Sequence, residues 1–377
     1  MKLIKKTRKL NSLKSDFYKS SVIIFLLLLT NLIINGQSVC SEMPANKLSH
    51  ERIRELAVRS AEWSMANHLT DMSYQSMCSA YGILMVAAVT ENEDLRKGVE
   101  EILKPELLQG RNPHRNNAEK NPAHRWFGFI PLELYKQTRN PSYLTRGLEM
   151  AEEQYLDPDP NGMPAYTPRA YIDDIYGATV MQSLAYECTG EGKYLDRAVK
   201  QVLYYSDKFM QQNGLFLHSP QKSPFYWGRG NGWCAAAYAE ILNVMPLDHP
   251  QREAVLTAYR KMMNALLKYH HPDGIWCQLL DDHNSFPETS CTAMFIYSMT
   301  EGVKNGWLPA PFEAAVLKTW ETLIDYVDED WRLREVCIGT GFGNREFYLN
   351  RPRETGNAHG QAPLLWAAAS MLNWLQK

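Results

Sequence analysis

Two patterns of apolar positions alternate along this chain, and both have the helical period. From Ile175 to Ala185 apolar residues run nearly all the way round, which buries a helix on every side. From Leu195 to Phe209 they keep to one stripe (Leu195, Ala198, Val199, Val202, Leu203, Phe209), with Lys200, Gln201 and Asp207 off it, as on a helix with one face in water. The first pattern predicts inner helices near residues 74–89, 125–138, 174–188, 232–245, 289–303 and 361–374. The second predicts outer helices near 52–66, 94–104, 142–155, 194–210, 251–270 and 313–327.

The joints repeat as well. Thr138-Arg-Asn-Pro-Ser-Tyr143-Leu144-Thr-Arg146 matches Thr189-Gly-Glu-Gly-Lys-Tyr194-Leu195-Asp-Arg197 at an offset of 51, and Thr90-Glu-Asn-Glu-Asp-Leu95 is a weaker copy. Asn213-Gly214-Leu215-Phe216 and Asp273-Gly274-Ile275-Trp276 are offset by 60, and Asn161-Gly162-Met163 resembles both. Repeats of this length read as stacked helical hairpins. The expected fold is therefore all-α, an (α/α)6 barrel over residues 45–377, with the first outer helix beside the last inner one. A two-domain α-solenoid would share the alternation without closing.

In such a ring all inner helices point one way, so their N-termini and the long loops before them share one mouth, where function sits on a rigid scaffold. Those loops hold His124-Arg125-Trp126, Tyr171-Ile172-Asp173-Asp174, the stretch Phe225-Tyr226-Trp227-Gly228-Arg229-Gly230-Asn231-Gly232-Trp233, Glu288-Thr289-Ser290 and Asn357-Ala358-His359-Gly360-Gln361. In the Trp227–Trp233 stretch, three glycines in five residues read as a rigid polar loop in which positive φ lets the backbone approach a ligand. Its Arg229, Asn231 and the indoles of Trp227 and Trp233 suit a sugar ring bearing a carboxylate, since guanidinium binds carboxylate bidentately. The bland reading is a tight turn with tryptophans filling core.

Asp173 and Asp174 open the third inner helix. One can cap the helix while the other faces the mouth. The helix dipole lowers a carboxylate's pKa there, whereas burial and the neighbouring negative charge raise it, so the residues alone leave open which is the acid. His218, His124 and Arg125 are further candidates for hydrogen bonds to a carboxylate or sugar hydroxyl; His359 reads more as part of a helix cap, as does Glu288. Besides Asp173/Asp174 only Glu288 and Asp281-Asp282 could serve as the second carboxylate of an ordinary glycosidase.

Composition narrows the field. Lys2, Lys5, Lys6, Arg8, Lys9, Lys14 and Lys19 precede the apolar run Val22–Leu29, which reads as a secretory signal over residues 1–36 and as too short for a good membrane span. Those residues carry seven bases and one acid (Asp16), so their removal takes the formal charge from −2 to −8. An acidic exported chain, expected in the periplasm, is a poor partner for nucleic acid. Cys40 invites a lipoprotein reading, but Gln37-Ser38-Val39 is a weak match before it. Seven dispersed cysteines without C-x-x-C spacing disfavour a metal centre and specify no disulfide. Oligomeric state is not legible.

Tyr171-Ile-Asp-Asp-Ile-Tyr176, Thr189-Gly190 to Tyr194-Leu195, Trp227-Gly-Arg-Gly-Asn-Gly-Trp233 and Glu288-Thr-Ser-Cys-Thr-Ala-Met294, in this order, resemble glycoside hydrolase family 105, the unsaturated rhamnogalacturonyl hydrolases, with the unsaturated glucuronyl hydrolases of family 88 as relatives. The resemblance implies the six-hairpin (α/α)6 barrel, no cofactor, and a substrate left by polysaccharide lyases, an oligosaccharide ending in a 4,5-unsaturated uronyl residue. It implies that Asp173 protonates carbon 4 and then deprotonates the water adding at carbon 5, with Arg229, Trp227 and Trp233 holding the ring and His218 matching the family's active-site histidine. Many members carry a second Asp before the preceding inner helix, where this chain reads Ala123-His124-Arg125-Trp126, so the leaving sugar stays open. The alternatives are a conventional glycosidase on saturated uronides and a non-catalytic carbohydrate-binding barrel.

Overall fold

The sequence repeat at the joints has a simple physical origin. Each of Thr90, Thr138 and Thr189 donates its hydroxyl to the carbonyl four residues back, at 2.7 Å in all three cases. The next residue turns left-handed (Glu91, φ 53°; Arg139, φ 59°; Gly190, φ 71°), which ends the helix and reverses the chain. Asn140 then caps the following helix through Ser142 N–H, with Pro141 in its first turn. The Asn-Gly and Asp-Gly repeats are turns too, with Gly162, Gly214 and Gly274 at φ 73°, 89° and 86°.

The computed structural model describes residues 46–108, 126–156, 158, 160–164 and 172–376. The expected signal segment 1–36, Cys40, His124, Arg125 and Tyr171 lie outside them. The inner helices are α2 (Tyr74–Thr90), α4 (Phe129–Thr138), α6 (Asp174–Thr189), α8 (Gly228–Val244), α10 (Thr289–Lys304) and α13 (Ala358–Leu375). The outer helices are α1 (His50–His68), α3 (Glu93–Leu108), α5 (Pro141–Glu153), α7 (Gly192–Phe209), α9 (Arg252–Lys268) and α11 (Ala310–Ile324). Each inner helix packs on the next, α13 closes back onto α2, and α1 lies against both α2 and α13. The ring is the predicted (α/α)6 barrel. Its inner helices are buried all round; α6, for instance, is buried continuously from Asp174 to Ala185. The six cysteines among the described residues are free thiols.

Two features depart from expectation. The glycine-rich stretch is not a loop: Gly228–Trp233 is the first turn and a half of α8, capped at Trp227, and none of its glycines has positive φ. The glycines serve helix packing. A Cβ on Gly232 would lie 2.3 Å from Met294 Sδ, and one on Gly228 would lie 2.8 Å from Cys291 Sγ and 2.9 Å from the Cys277 carbonyl. Glycine costs a helix about 0.5–1 kcal/mol per position, which close packing of α8 on α10 offsets.

The second departure is an excursion between α11 and α13. It contains a two-stranded antiparallel ribbon, β1 (Val336–Cys337) on β2 (Arg353–Glu354), and between its strands the short α12 (Arg345–Leu349). No periodicity announced it, because its segments are too short to carry one.

Candidate active site

The first residues of the inner helices and their caps converge on one mouth: Tyr74 on α2, Asp173 before α6, Trp227 before and Arg229 on α8, Glu288 before α10, and His359 on α13. Cross-helix bonds tie this ring together. Arg229 reaches Ser290 at 3.3 Å, Tyr74 meets His359 at 2.6 Å, and Glu288 accepts from Cys337 N–H at 3.1 Å.

The two adjacent carboxylates divide by exposure. Asp174 is buried at 3 % exposure, while Asp173 is half-buried and occupies the N-cap position without making a side-chain capping bond. The negative charge of Asp173 is felt around the mouth. It contributes to raising the hydroxyl pKa of Tyr74 and of Tyr348, although burial is the larger cause in both, and Tyr348 is pushed up to about 12.

Arg229 is the buried positive charge of the site, 1 % exposed. Its Nη1 donates to the Cys337 carbonyl at 2.6 Å and its Nη2 to the Ile338 carbonyl at 2.8 Å, while the guanidinium lies 4.9 Å from the Trp227 ring and Nη1 3.9 Å from Glu288. Burial opposes its charge, but Cys337, Glu288, Tyr74 and Asp173 outweigh that and raise its pKa. Both terminal nitrogens are therefore engaged by the excursion. A bidentate grip on a uronate, expected from the residue type, would have to displace them. Asn231 is likewise turned inward. It is fully buried, its Oδ1 accepting from Phe216 N–H at 2.8 Å and its Nδ2 donating to the carbonyls of Phe216 and Trp227.

His218 is fully buried, its ring centroid 4.4 Å from Trp227 and 4.9 Å from Phe342, and its Nδ1 lies 2.5 Å from the Tyr348 hydroxyl. Burial, then the Arg229 charge, lowers its pKa to about 3, so it is neutral under any ordinary condition. Its Nε2 has no hydrogen-bond partner among the described residues. Trp227 and Trp233 are each 2 % exposed, and they do different things. Trp227 packs beside His218. Trp233 joins Trp126 (5.3 Å), Tyr176 (5.0 Å) and Trp366 (6.0 Å) in an aromatic floor beneath the mouth. Glu288 is a cap, as its position predicted: it accepts from Ser290 and Cys291 N–H.

Sequence reasoning overlooked Tyr74 and Tyr348. Tyr74 had a usable signal, since it opens an inner helix as Asp174 does. Tyr348 had none, because it belongs to the non-periodic excursion.

The other end of the barrel has its own cavity of about 410 Å³, lined by the C-terminal halves of all six inner helices. Its carboxylates are held by neighbours: Glu240 by the hydroxyls of Tyr81 and Tyr297, Glu133 and Glu187 by Lys136, and Glu301 by Lys304 and Ser370. The partly buried Asp173 and the buried guanidinium of Arg229, whose pKa that aspartate helps to raise, are at the mouth.

The hairpin barrel and its chemistry gathered at one mouth place the chain among the glycoside hydrolases. More narrowly, it belongs to Glycosyl Hydrolase Family 88, whose family model matches residues 39–375. It is 25 % identical over 311 residues to the unsaturated rhamnogalacturonyl hydrolase YesR of Bacillus subtilis, covering 78 % of this chain and 87 % of that one. It is 23 % identical over 341 residues to an unsaturated 3S-rhamnoglycuronyl hydrolase of Formosa agariphila, covering 82 % and 89 %. A crystal structure from Salmonella enterica, described as a possible member of family GH105, superposes with a TM-score of 0.77 at 19 % identity, covering 88 % of this chain and 96 % of that one, and so shares the fold.

Proposed function

We propose that this hydrolase removes the 4,5-unsaturated uronyl residue from the non-reducing end of lyase-generated oligosaccharides, with Asp173 as acid and then base. The observation that carries the reading is the division of the adjacent aspartates: Asp173, at the helix start on the mouth, is only partly buried, while Asp174 is buried. Asp173 gives its proton to carbon 4 of the enol ether, which leaves an oxocarbenium ion at carbon 5. Water adds there and returns a proton to the Asp173 carboxylate. The hemiketal opens, and the neighbouring sugar leaves. One carboxylate suffices for this sequence.

The buried Arg229 supplies a fixed positive field for the uronate, and neutral His218 and the Trp227 face line the ring. His124 and Arg125, which lie outside the described residues, stay substrate-binding candidates on the sequence alone. A conventional two-carboxylate glycosidase would have to take its second carboxylate from the exposed Asp281, because Glu288 is fully buried as a cap and Asp282 is paired with Arg345. The relatives named above both carry a rhamnose in their substrate names, so unsaturated uronyl-rhamnose disaccharides from pectin and ulvan lyase digests come first in the test. We further assign residues 1–36 to export and the enzyme to the periplasm, without a lipid at Cys40; fractionation of the native host with and without globomycin treatment tests that.

The deciding measurement is the loss of absorbance of the conjugated double bond on adding enzyme. Asp173→Asn should abolish it with the helical circular dichroism unchanged; retained activity in that variant would overturn the assignment.

A further inference from the structure

The hydrogen-bond chain Asn357–His359–Tyr74 has a direction that can be worked out atom by atom. The backbone N–H of His359 can only donate, and it meets Asn357 at 3.1 Å, so the amide atom there is the oxygen. The amide nitrogen of Asn357 accordingly donates to Glu354 Oε2 at 2.7 Å. His359 Nδ1 lies 2.8 Å from the same Asn357 oxygen, which accepts only, so Nδ1 carries the ring proton. The ring is 5 % exposed, and burial, then the charge of Arg229, holds its pKa well below the usual histidine value, so Nε2 is a lone pair. Tyr74 Oη, 2.6 Å from that lone pair, must therefore be the donor.

A tyrosine whose proton is committed in this way offers its surroundings only lone pairs. Tyr74 opens α2 at the mouth, edge-on to Trp126 at 5.2 Å, and its hydroxyl makes no second hydrogen bond among the described residues. Tyr74 and Asp173 open inner helices at the same mouth, and the Tyr74 hydroxyl feels the charges of Arg229 and Asp173 there. The His218–Tyr348 pair across the site lacks such direction, since nothing among the described residues engages His218 Nε2.

We propose that Tyr74, oriented by His359, is the acceptor that holds the attacking water. The inference rests on the hydration reading above. The water needs two acceptors: the Asp173 carboxylate takes one proton as the oxygen bonds to carbon 5, and Tyr74 accepts a hydrogen bond from the other, which remains as the proton of the new hydroxyl. No other proton moves. His359 is the positioning residue, because it removes the alternative in which Tyr74 donates to the water.

Methanol separates this role from a structural one. Its single hydroxyl proton goes to Asp173, so methanol never uses Tyr74. In water–methanol mixtures with an unsaturated uronyl-rhamnose disaccharide, Tyr74→Phe should lower kcat for hydration about tenfold with KM within about threefold, the size of one lost hydrogen bond. The ratio of carbon-5 methyl ketal to hydrated product should rise by a similar factor. His359→Leu should move the ratio the same way, and His359→Gln, whose amide oxygen can accept from Tyr74, should return it toward the wild-type value. A ratio unchanged in Tyr74→Phe overturns the proposal even if both rates fall. In the ligand-free wild type, nitrogen NMR should find His359 protonated at Nδ1 and bare at Nε2; protonation at Nε2 overturns it as well. A wild type that consumes no double bond sinks the hydration reading and the water-holding role with it, while the spectrum still decides the direction of the hydrogen bond.

Discussion

Arg229 Nη1 donates to the main-chain carbonyl of Cys337 at 2.6 Å, joining the first turn of an inner helix to a β-ribbon 108 residues later. With the companion bond from Nη2 to Ile338, the guanidinium acts as a two-pronged staple that holds the excursion over the mouth.

Lysine is shorter and has a single nitrogen, so it cannot reproduce the planar fork that sets one nitrogen on each carbonyl. Arg229→Lys should lose on the order of 3 kcal/mol of stability, the cost of breaking a buried, hydrogen-bonded cation, together with most activity. Urea denaturation measures the first quantity. A loss under about 1 kcal/mol would mean that other contacts hold the excursion.

The neighbouring aspartates should separate in two assays. Asp173→Asn is expected to cut kcat by about 10²–10⁴-fold at unchanged melting temperature, because it removes the proton carrier from a position that is only partly buried. Asp174→Asn, at a site 3 % exposed, should instead act chiefly on the melting temperature. The reverse pattern would exchange their roles.

Gly232→Ala should destabilise, although alanine ordinarily improves a helix by about 1 kcal/mol over glycine. The new methyl would sit 2.3 Å from Met294 Sδ, and such overpacking costs about 1–3 kcal/mol. In a Met294→Ala background the same Gly232→Ala change should cost less, a coupling that a double-mutant cycle measures. A plain gain in the single variant would show that the glycine answers to something other than packing.

Glu240 predicts a pH dependence of stability. Burial raises its pKa from 4.5 to about 7, against the opposing hydrogen bonds from Tyr297 and Tyr81. Below 4.5 the carboxyl is protonated whether the chain is folded or not, and the shift has no effect. Between 4.5 and about 7 the unfolded chain has released a proton that the folded one keeps, so stability falls as pH rises, and the loss persists above that window. Its size is on the order of 3 kcal/mol. Glu240→Gln should flatten this part of the stability–pH curve and be the more stable protein at neutral pH and above. Parallel curves for the two proteins would refute the assignment.

Much of this architecture was legible in the chain. Alternation of all-round and one-sided apolar helices, with Thr-based joints repeating between them, determined the six hairpins, because both signals are local: a helix's periodicity and its cap are written within a few residues. The same register rule determined that Asp173, Trp227, Glu288 and His359 share one mouth, and it would have included Tyr74. What each of these side chains does there was decided by tertiary structure. Three glycines read as a rigid polar loop became the first turns of a helix, because Met294 and Cys291 approach from another helix and the sequence of α8 does not contain them. Arg229 and Asn231 looked like ligand-binding groups by residue type, yet their hydrogen bonds go to Cys337, Ile338, Phe216 and Trp227. Which of two adjacent aspartates kept its access to solvent was decided the same way. Burial and hydrogen-bond partners are set by chain segments far away in sequence, so only the closed barrel assigns them.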